Sequence, residues 1–547
     1  MTTEIDGAAR AGSPAVALDY TRRMFERQRV ALPPMGFAVD WSDQPSRHKL
    51  YLDAPKLPLP PPFANLPTLG VDAAVAAATG NATAVMPSLD VLSSVLGCYG
   101  IVGRRTHLNW NEDSSGKLKA NAPVWSRPTA SGGGMYPAES YLVAGAGASV
   151  RTGVYHYDTA HHSLDRLSAA NRCWDLAEAT GVEAGLYLVA TLAFWKNAFK
   201  YNSFSYHVVT QDVGALLASW RLVLAASGLA VEPVLWFDEG PVSTAVGVDG
   251  RTEAPFVVIP LGPTVPATSR QRLGGTDAEP LRVWEKSHRV RDFELVDRVH
   301  AAALVGSAPR PANETSDALP ALEFADVIQL PAAGPSAVEL ADCLRTRRSS
   351  FGLFSAHPAL SVEDLGSVLA STAGIGRAGT DVSPAPRAEP WTRLWVLPNT
   401  VEGLTDRAYA YDAAGHRLLG GAAFDFGEVQ RHYALTNYNI REVAAVLVIT
   451  GRLDALVATY GARGYRMLSV EVGQAAQTTY LSATARGLGV GAVLGIDNLA
   501  VDGFLGVDGT DERSMLFILL GHERAGLAGY DHGLYRSTPV ALQGDNR

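Results

Sequence analysis

The stretch KYNSFSYHVVTQDVG at 200–214 returns, altered, as TYGARGYRMLSVEVG at 459–473, and this pairing decides the fold. The tyrosines are offset by 460 − 201 = 259 residues. The same offset carries Gly228-Leu229 onto Gly487-Leu488, Val248-Asp249-Gly250 onto Val507-Asp508-Gly509, Glu253 onto Glu512 and Leu261-Gly262 onto Leu520-Gly521. Upstream, GVYHYDTAHHSL (153–164) matches RAYAYDAAGHRL (407–418) at 409 − 155 = 254. Matches in one order at nearly one offset mark a duplicated unit. The chain reads as two copies of one fold, 70–262 and 335–525, with an N-terminal extension 1–69, a connector 263–334 and a tail 526–547.

Each copy holds the same parts in the same order. ESYLVAGA (139–146) and TRLWVLPN (392–399) read as strands, each followed by a hairpin-like YxYD turn. Long apolar helices follow, VGALLASWRLVLAASG (213–228) and VGQAAQTTYLSATARG (472–487), with small residues for close packing. Each copy closes on a continuous apolar strand, APFVVIPLG (254–262) and SMLFILLG (514–521), suited to a buried sheet position. Helices flanking a mixed sheet imply an α+β fold with α/β-type layers, duplicated in tandem as an intrachain pseudo-dimer.

Composition narrows the function. The 547 residues are 47% hydrophobic and 18% charged, ordinary for a globular chain. Lys and Arg number 46 against 55 Asp and Glu, a net charge of −9, which argues against a nucleic-acid binder. Cys98, Cys173 and Cys343 are far apart and make neither metal-ligand spacing nor a disulfide framework, so no metal is expected and a reducing cytosol fits. No uninterrupted apolar run reaches the roughly eighteen residues of a membrane span. The start, MTTEIDGAARAGSPAV, has neither signal-peptide nor transit-peptide character. KLPLPPPFANLP (56–67) reads as an extended, proline-stiffened strap, and 281–304 as an amphipathic helix within the connector.

Three motifs carry chemistry, divided between the copies. VELADCLRTRRSS (338–350) leads a helix into Arg347, Arg348 and Ser349, two guanidiniums and a hydroxyl that suit phosphate oxygens. The matching stretch of copy one, AAVAAATGNATAV (73–85), has no arginine. Copy one instead has SRPTASGGGMYPAES (126–140), whose glycines let backbone N–H groups approach a flat ligand, whereas copy two has DVSPAPRAEPWTR (381–393) there. Copy one also has Lys200-Tyr201, an acid/base pair if burial lowers the amine's pKa, against Thr459-Tyr460 in copy two. Taken singly, each motif also reads as a solvated helix end, a surface turn or a snorkelling lysine.

Taken together, RPTASGGGMYPAE, KYNSFSYH, RRSS, YGARGYRMLSVEVGQAAQTTYLSATARGLGVG and LLGHER resemble the SagB-type dehydrogenases of the FMN-dependent nitroreductase superfamily, over roughly 90–262 and 335–525. That family includes the azoline dehydrogenases that make thiazoles and oxazoles in ribosomal peptides. The resemblance implies an FMN held between two nitroreductase-like units, here the two copies. Copy two would supply Arg347, Arg348 and Ser349, the LGID segment with Leu494 and Gly495, and Arg524. Copy one would supply Pro128, Ser131, Gly132 and Gly133, with Lys200 as base and Tyr201 as its partner; Gln211 and Asp212 are weaker candidates for contact. One site per chain is then complete and the other degenerate. Phe351 departs from the basic residue many nitroreductases carry there, and KYNSFSYH lacks the arginines of the usual KYG-RGYR pattern. The implied activity is FMN-dependent oxidation of thiazoline or oxazoline rings in a cyclised precursor peptide. A cyclodehydratase would be a partner and dioxygen the electron acceptor. The N-terminal 60 residues or the 262–335 connector would offer a peptide docking surface. An NAD(P)H-dependent nitro or quinone reductase and a non-catalytic peptide-binding scaffold are the alternatives.

Overall fold

The structure, a computed structural model, describes residues 13–106, 108–109, 119–120, 122–264, 281–311, 319, 322, 324, 326–384, 390–435, 437–525 and 530–535. The first lobe carries strands β1 (Lys56–Pro58), β2 (Ala138–Ala144), β3 (Gly153–Asp158), β4 (Ser163–Ser168), β5 (Leu186–Ala193) and β6 (Glu253–Leu261). They pair in the order β1-β4-β3-β2-β5-β6. The second lobe carries β7 (Asp326–Gln329), β8 (Phe354–Ser355), β9 (Thr392–Pro398), β10 (Arg407–Asp412), β11 (Arg417–Ala423), β12 (Ala445–Arg452), β13 (Gly489–Val493) and β14 (Glu512–Glu523). Its order β7-β11-β10-β9-β12-β14 repeats the first, with β8 and β13 added beside β14. Every ladder in both sheets is antiparallel. The expected mixed sheet is thus corrected, and the fold is α+β. The YxYD turns are too short for the crossover that a parallel pair needs.

The hairpins show the duplication atom by atom. Asp158 Oδ1 accepts from the N–H groups of Ala160 and His161 at 2.9 and 3.2 Å, and Asp412 Oδ1 from those of Ala414 and Gly415 at 3.0 and 3.2 Å. His162 and His416 then bond the Tyr157 and Tyr411 hydroxyls and the carbonyls of Pro60 and Pro331. The structural repeat therefore begins at the strap strands, β1 and β7, ahead of residues 70 and 335.

The lobes meet through their two central helices, Ser205–Ala226 and Ala462–Thr484. A Cβ on Gly214 would lie 2.0 Å from the Val470 carbonyl oxygen, and one on Gly473 would lie 2.0 Å from that of Gln211. Since 211 + 259 = 470, each helix touches the counterpart of what the other touches. This is the self-complementary contact of a two-fold dimer, made within one chain. Tyr206 and its counterpart Tyr465 stack across this junction at 6.2 Å. The Trp195–Ala226 run is long and apolar enough to cross a membrane by length and composition, but its apolar window is wholly buried in the fold.

The connector departs from expectation. Its helix covers only Glu294–Ala303, not 281–304. Carboxylates capture the preceding backbone. Asp43 accepts from the N–H of Arg289 at 3.0 Å and also from that of His288, and Glu285 accepts from those of Ser46 and Ser287 at 2.8 and 2.9 Å. The amides of Ser287, His288 and Arg289 are thus unavailable to a helix ladder.

Candidate functional site

Helix Leu340–Thr346 ends where Arg347 turns out of the helical range. Arg347 is only 6% exposed. Its Nη2 donates to the Arg127 carbonyl of the other lobe at 3.1 Å, and its guanidinium lies 5.0 Å over the Tyr480 ring. Its Nε and Nη1 are buried without a hydrogen-bond partner among the described residues. A buried guanidinium with two idle donors is costly, and anionic oxygens would satisfy it. Ser349 shares a 2.9 Å hydrogen bond with the Tyr480 hydroxyl, whose oxygen accepts from the Ala492 N–H at 2.8 Å. Arg348 and Arg524 lie close by but are turned onto carboxylates, Arg348 onto Glu523 and Arg524 onto Glu442. Of the expected cationic grip, Arg347 alone holds idle buried donors.

Sequence reasoning missed Arg105, which braces this grip from the first lobe. It donates to the carbonyls of Arg345, Thr346 and Arg347 at 3.3, 2.9 and 3.2 Å. Its strand, Gly103–Arg105, is in turn paired with Asp531–Gly533 of the C-terminal segment. No local signal marks Arg105, because its acceptors are about 240 residues away.

The Pro128–Gly133 loop crosses from this grip to the Lys200 helix. Gln477 of the second lobe holds its start, accepting from the Ala130 N–H at 3.0 Å and donating to the Pro128 carbonyl at 3.2 Å. Asp212 holds its middle, accepting from Ser131 Oγ at 2.7 Å and from the Gly132 N–H at 2.8 Å. Gly133 has φ +64°, and a Cβ there would lie 2.3 Å from the Tyr201 hydroxyl. Only glycine fits. Lys200 Nζ donates to the Gly133 carbonyl at 3.4 Å and sits 5.0 Å from the centre of the Tyr201 ring. Desolvation lowers the Lys200 pKa and raises that of Tyr201 to about 12, with Asp212 adding to the rise. Loop residues 127 to 133 span at most about 25 Å. The structure thus brings Pro128, Ser131, Gly132, Gly133, Lys200, Tyr201 and Arg347 onto one strip at the lobe junction.

Leu494 and Gly495 close the strip from the second lobe. Tyr433 and Leu435 flank Gly495, with side-chain atoms 3.0 and 3.2 Å from where its Cβ would be. Burial raises the Tyr433 pKa, and neighbouring Tyr201 adds to it.

Asp212 makes this strip pH-sensitive. Desolvation raises its carboxyl pKa to about 7, against the pull of Gly132 and Ser131. A folded-state pKa above the unfolded value favours folding only while the group is protonated. Its contribution is full below pH 4 and is lost as pH rises through 7. Asp212→Asn is expected to flatten that decline, as read from urea midpoints between pH 4 and pH 8.

The pseudo-symmetric second site is filled by the protein itself. Trp236 stands where Gly495 stands in the other lobe, since 236 + 259 = 495. Its indole lies 6.3 Å from the Tyr460 ring and donates to the Ala308 carbonyl of the connector at 3.0 Å. Asp381 accepts from the N–H groups of Leu235 and Trp236 at 2.7 and 3.1 Å.

Residues 344–522 match the model of the Nitroreductase family. A Methanocaldococcus jannaschii protein named for nitroreductase is 29% identical over 157 residues, which are 28% of this chain and 78% of that protein. The trifolitoxin-processing protein TfxB of Rhizobium leguminosarum bv. trifolii is 31% identical over 134 residues, 23% of this chain and only 36% of TfxB. A crystal structure from Anabaena variabilis, also named for nitroreductase, superposes with a TM-score of 0.67 at 22% identity, covering 93% of this chain and 99% of that one. The fold is thus shared along nearly the whole length.

Proposed function

We propose that this chain is a SagB-type protein of the nitroreductase superfamily, and an FMN-dependent dehydrogenase that oxidises thiazoline or oxazoline rings to thiazoles or oxazoles in a ribosomally made peptide. One observation carries this reading. A single lobe junction holds Arg347's idle buried donors at one end of the Pro128–Gly133 loop and the desolvated Lys200 with Tyr201 at the other.

The residues present fit FMN. Arg347 would hold the phosphate with Ser349 beside it, and Arg348 and Arg524 would join only by leaving Glu523 and Glu442. Val208 and Tyr201 pack where a Cβ on Gly132 or Gly133 would stand, so this loop would offer a flat ring backbone atoms alone. Bound FMN would supply a hydride acceptor. Lys200 is the base: its neutral amine takes the proton from the ring carbon next to the peptide carbonyl. Tyr201, whose hydroxyl stays protonated at neutral pH, orients that amine or donates a proton. Likeness to a protein named for trifolitoxin processing supports a peptide substrate. A cyclodehydratase would supply the cyclised peptide, and dioxygen would take the electrons.

The test incubates the full-length chain with FMN, air and a thiazoline-bearing peptide. The chain is expected to turn yellow, and each ring to lose the mass of two hydrogens. Rapid flavin reduction by NADPH with no ring oxidation would establish the reductase reading instead. A chain that takes up no FMN would leave the scaffold.

A further inference from the structure

Five consecutive residues of the second lobe, Leu494 to Asn498, are gripped by three consecutive residues of the N-terminal segment. Arg27 donates to the carbonyls of Leu494 and Ile496, the latter at 3.3 Å, and to the side-chain oxygen of Asn498 at 2.7 Å. Gln28 donates to the Gly495 carbonyl at 2.8 Å, and Arg29 pairs with Asp497 at 2.9 Å. The Arg27 guanidinium also lies 4.7 Å over the ring of Phe204, three residues after Tyr201. Burial lowers its pKa to about 10, so it stays charged at neutral pH.

The duplication shows what this contact does. The counterpart of Leu494 is Leu235, and that of Asn498 is Glu239, because 235 + 259 = 494 and 239 + 259 = 498. There the guanidinium belongs to Arg463, whose Nε donates to the Leu235 carbonyl at 2.9 Å and whose Nη1 pairs with Glu239. Arg463 is the first arginine of the YGARGYR motif. Its own counterpart, 463 − 259 = 204, is Phe204. The first lobe lacks that arginine, and Arg27 lies on the face of the residue standing in its place, reaching the same pair of groups.

We infer that Arg27 is a positioning residue that replaces the arginine absent at position 204, and that it aims the Leu494–Ile496 backbone at a ligand between the lobes. In a trans peptide the C=O and N–H point opposite ways. A guanidinium that draws the Leu494 carbonyl toward the N-terminal segment turns the Gly495 N–H the other way. The N–H groups of Leu494 and Gly495 have no hydrogen-bond partner among the described residues. Those of Leu235 and Trp236 do have one, the Asp381 carboxylate. The same backbone turn, held by a guanidinium in both lobes, has its N–H groups on an acceptor in one and without a partner among the described residues in the other. The identity of the acceptor as FMN rests on the proposed function; the brace does not.

Two readouts on the full-length chain test this. Without ligand, Arg27→Ala is expected to speed exchange of the amides bonded at this turn, those of Ala434, Asp497 and Leu499, by at least roughly tenfold, the worth of even one of the three charge-assisted hydrogen bonds it removes. With FMN, its dissociation constant is expected to rise by about the same factor. Phe204→Arg added to Arg27→Ala is expected to restore both. Unchanged exchange in Arg27→Ala, or a loss that Phe204→Arg does not repair, would overturn the inference. If Arg27→Ala does not fold, Arg27→Lys serves instead, since an ammonium offers one nitrogen where the guanidinium sets Nη2 on the two carbonyls and Nη1 on Asn498; wild-type exchange in that variant would overturn it equally. A wild-type chain that takes up no FMN defeats the flavin reading, while the exchange data still decide the brace.

Discussion

Arg347→Met is expected to abolish FMN retention without costing the ligand-free chain stability. The two idle donors of Arg347, Nε and Nη1, are buried, so phosphate oxygens would gain strong hydrogen bonds there. Each charge-assisted bond contributes about 1.5–3 kcal/mol. Losing two raises the dissociation constant by roughly 100-fold or more. The stability side runs the opposite way. A buried cation with unmet donors opposes folding, and methionine keeps an apolar stem over Tyr480 while removing the charge. The urea midpoint of the ligand-free variant should equal the wild-type value or exceed it. A midpoint that falls sharply while FMN binds normally would make Arg347 a structural residue, and the phosphate assignment would go with it.

Lys200→Ala is expected to leave FMN bound and to stop ring oxidation, lowering the rate by about 100- to 10,000-fold, the range of a lost general base. Lys200 is half-buried, and its amine contacts only the Gly133 carbonyl and the Tyr201 ring among described groups. Desolvation lowers its pKa. Only the neutral amine can take a proton, so the wild-type rate should rise with pH and level off above the Lys200 pKa. That limb should lie below the pH of an ordinary lysine and vanish in the variant. A variant that binds FMN and oxidises azolines at the wild-type rate would remove Lys200 from the mechanism.

The site is closed by groups that no motif contains. Gln477 pins the glycine loop from the opposite lobe, Arg105 fixes the carbonyls at the end of the Arg347 helix, and Arg27 holds Leu494. Each acts on a partner more than 200 residues away. Arg348 and Arg524 show the converse. Both lie in stretches that read as phosphate-binding, yet each guanidinium rests on a neighbouring carboxylate.

The sequence alone determined the duplication, the correspondence of Gly214 with Gly473 and the split of motifs between the halves, because repeats and spacings survive in the order of residues. The antiparallel sheets, the shortened connector helix and the filled second site were decided only in three dimensions. Trp236, Asp381 and Ala308 meet there through separate elements, and such meetings depend on how two lobes pack about their shared axis. Residue order records what each lobe carries; which donors stay idle and which find acceptors is settled by burial, once both lobes share one interior.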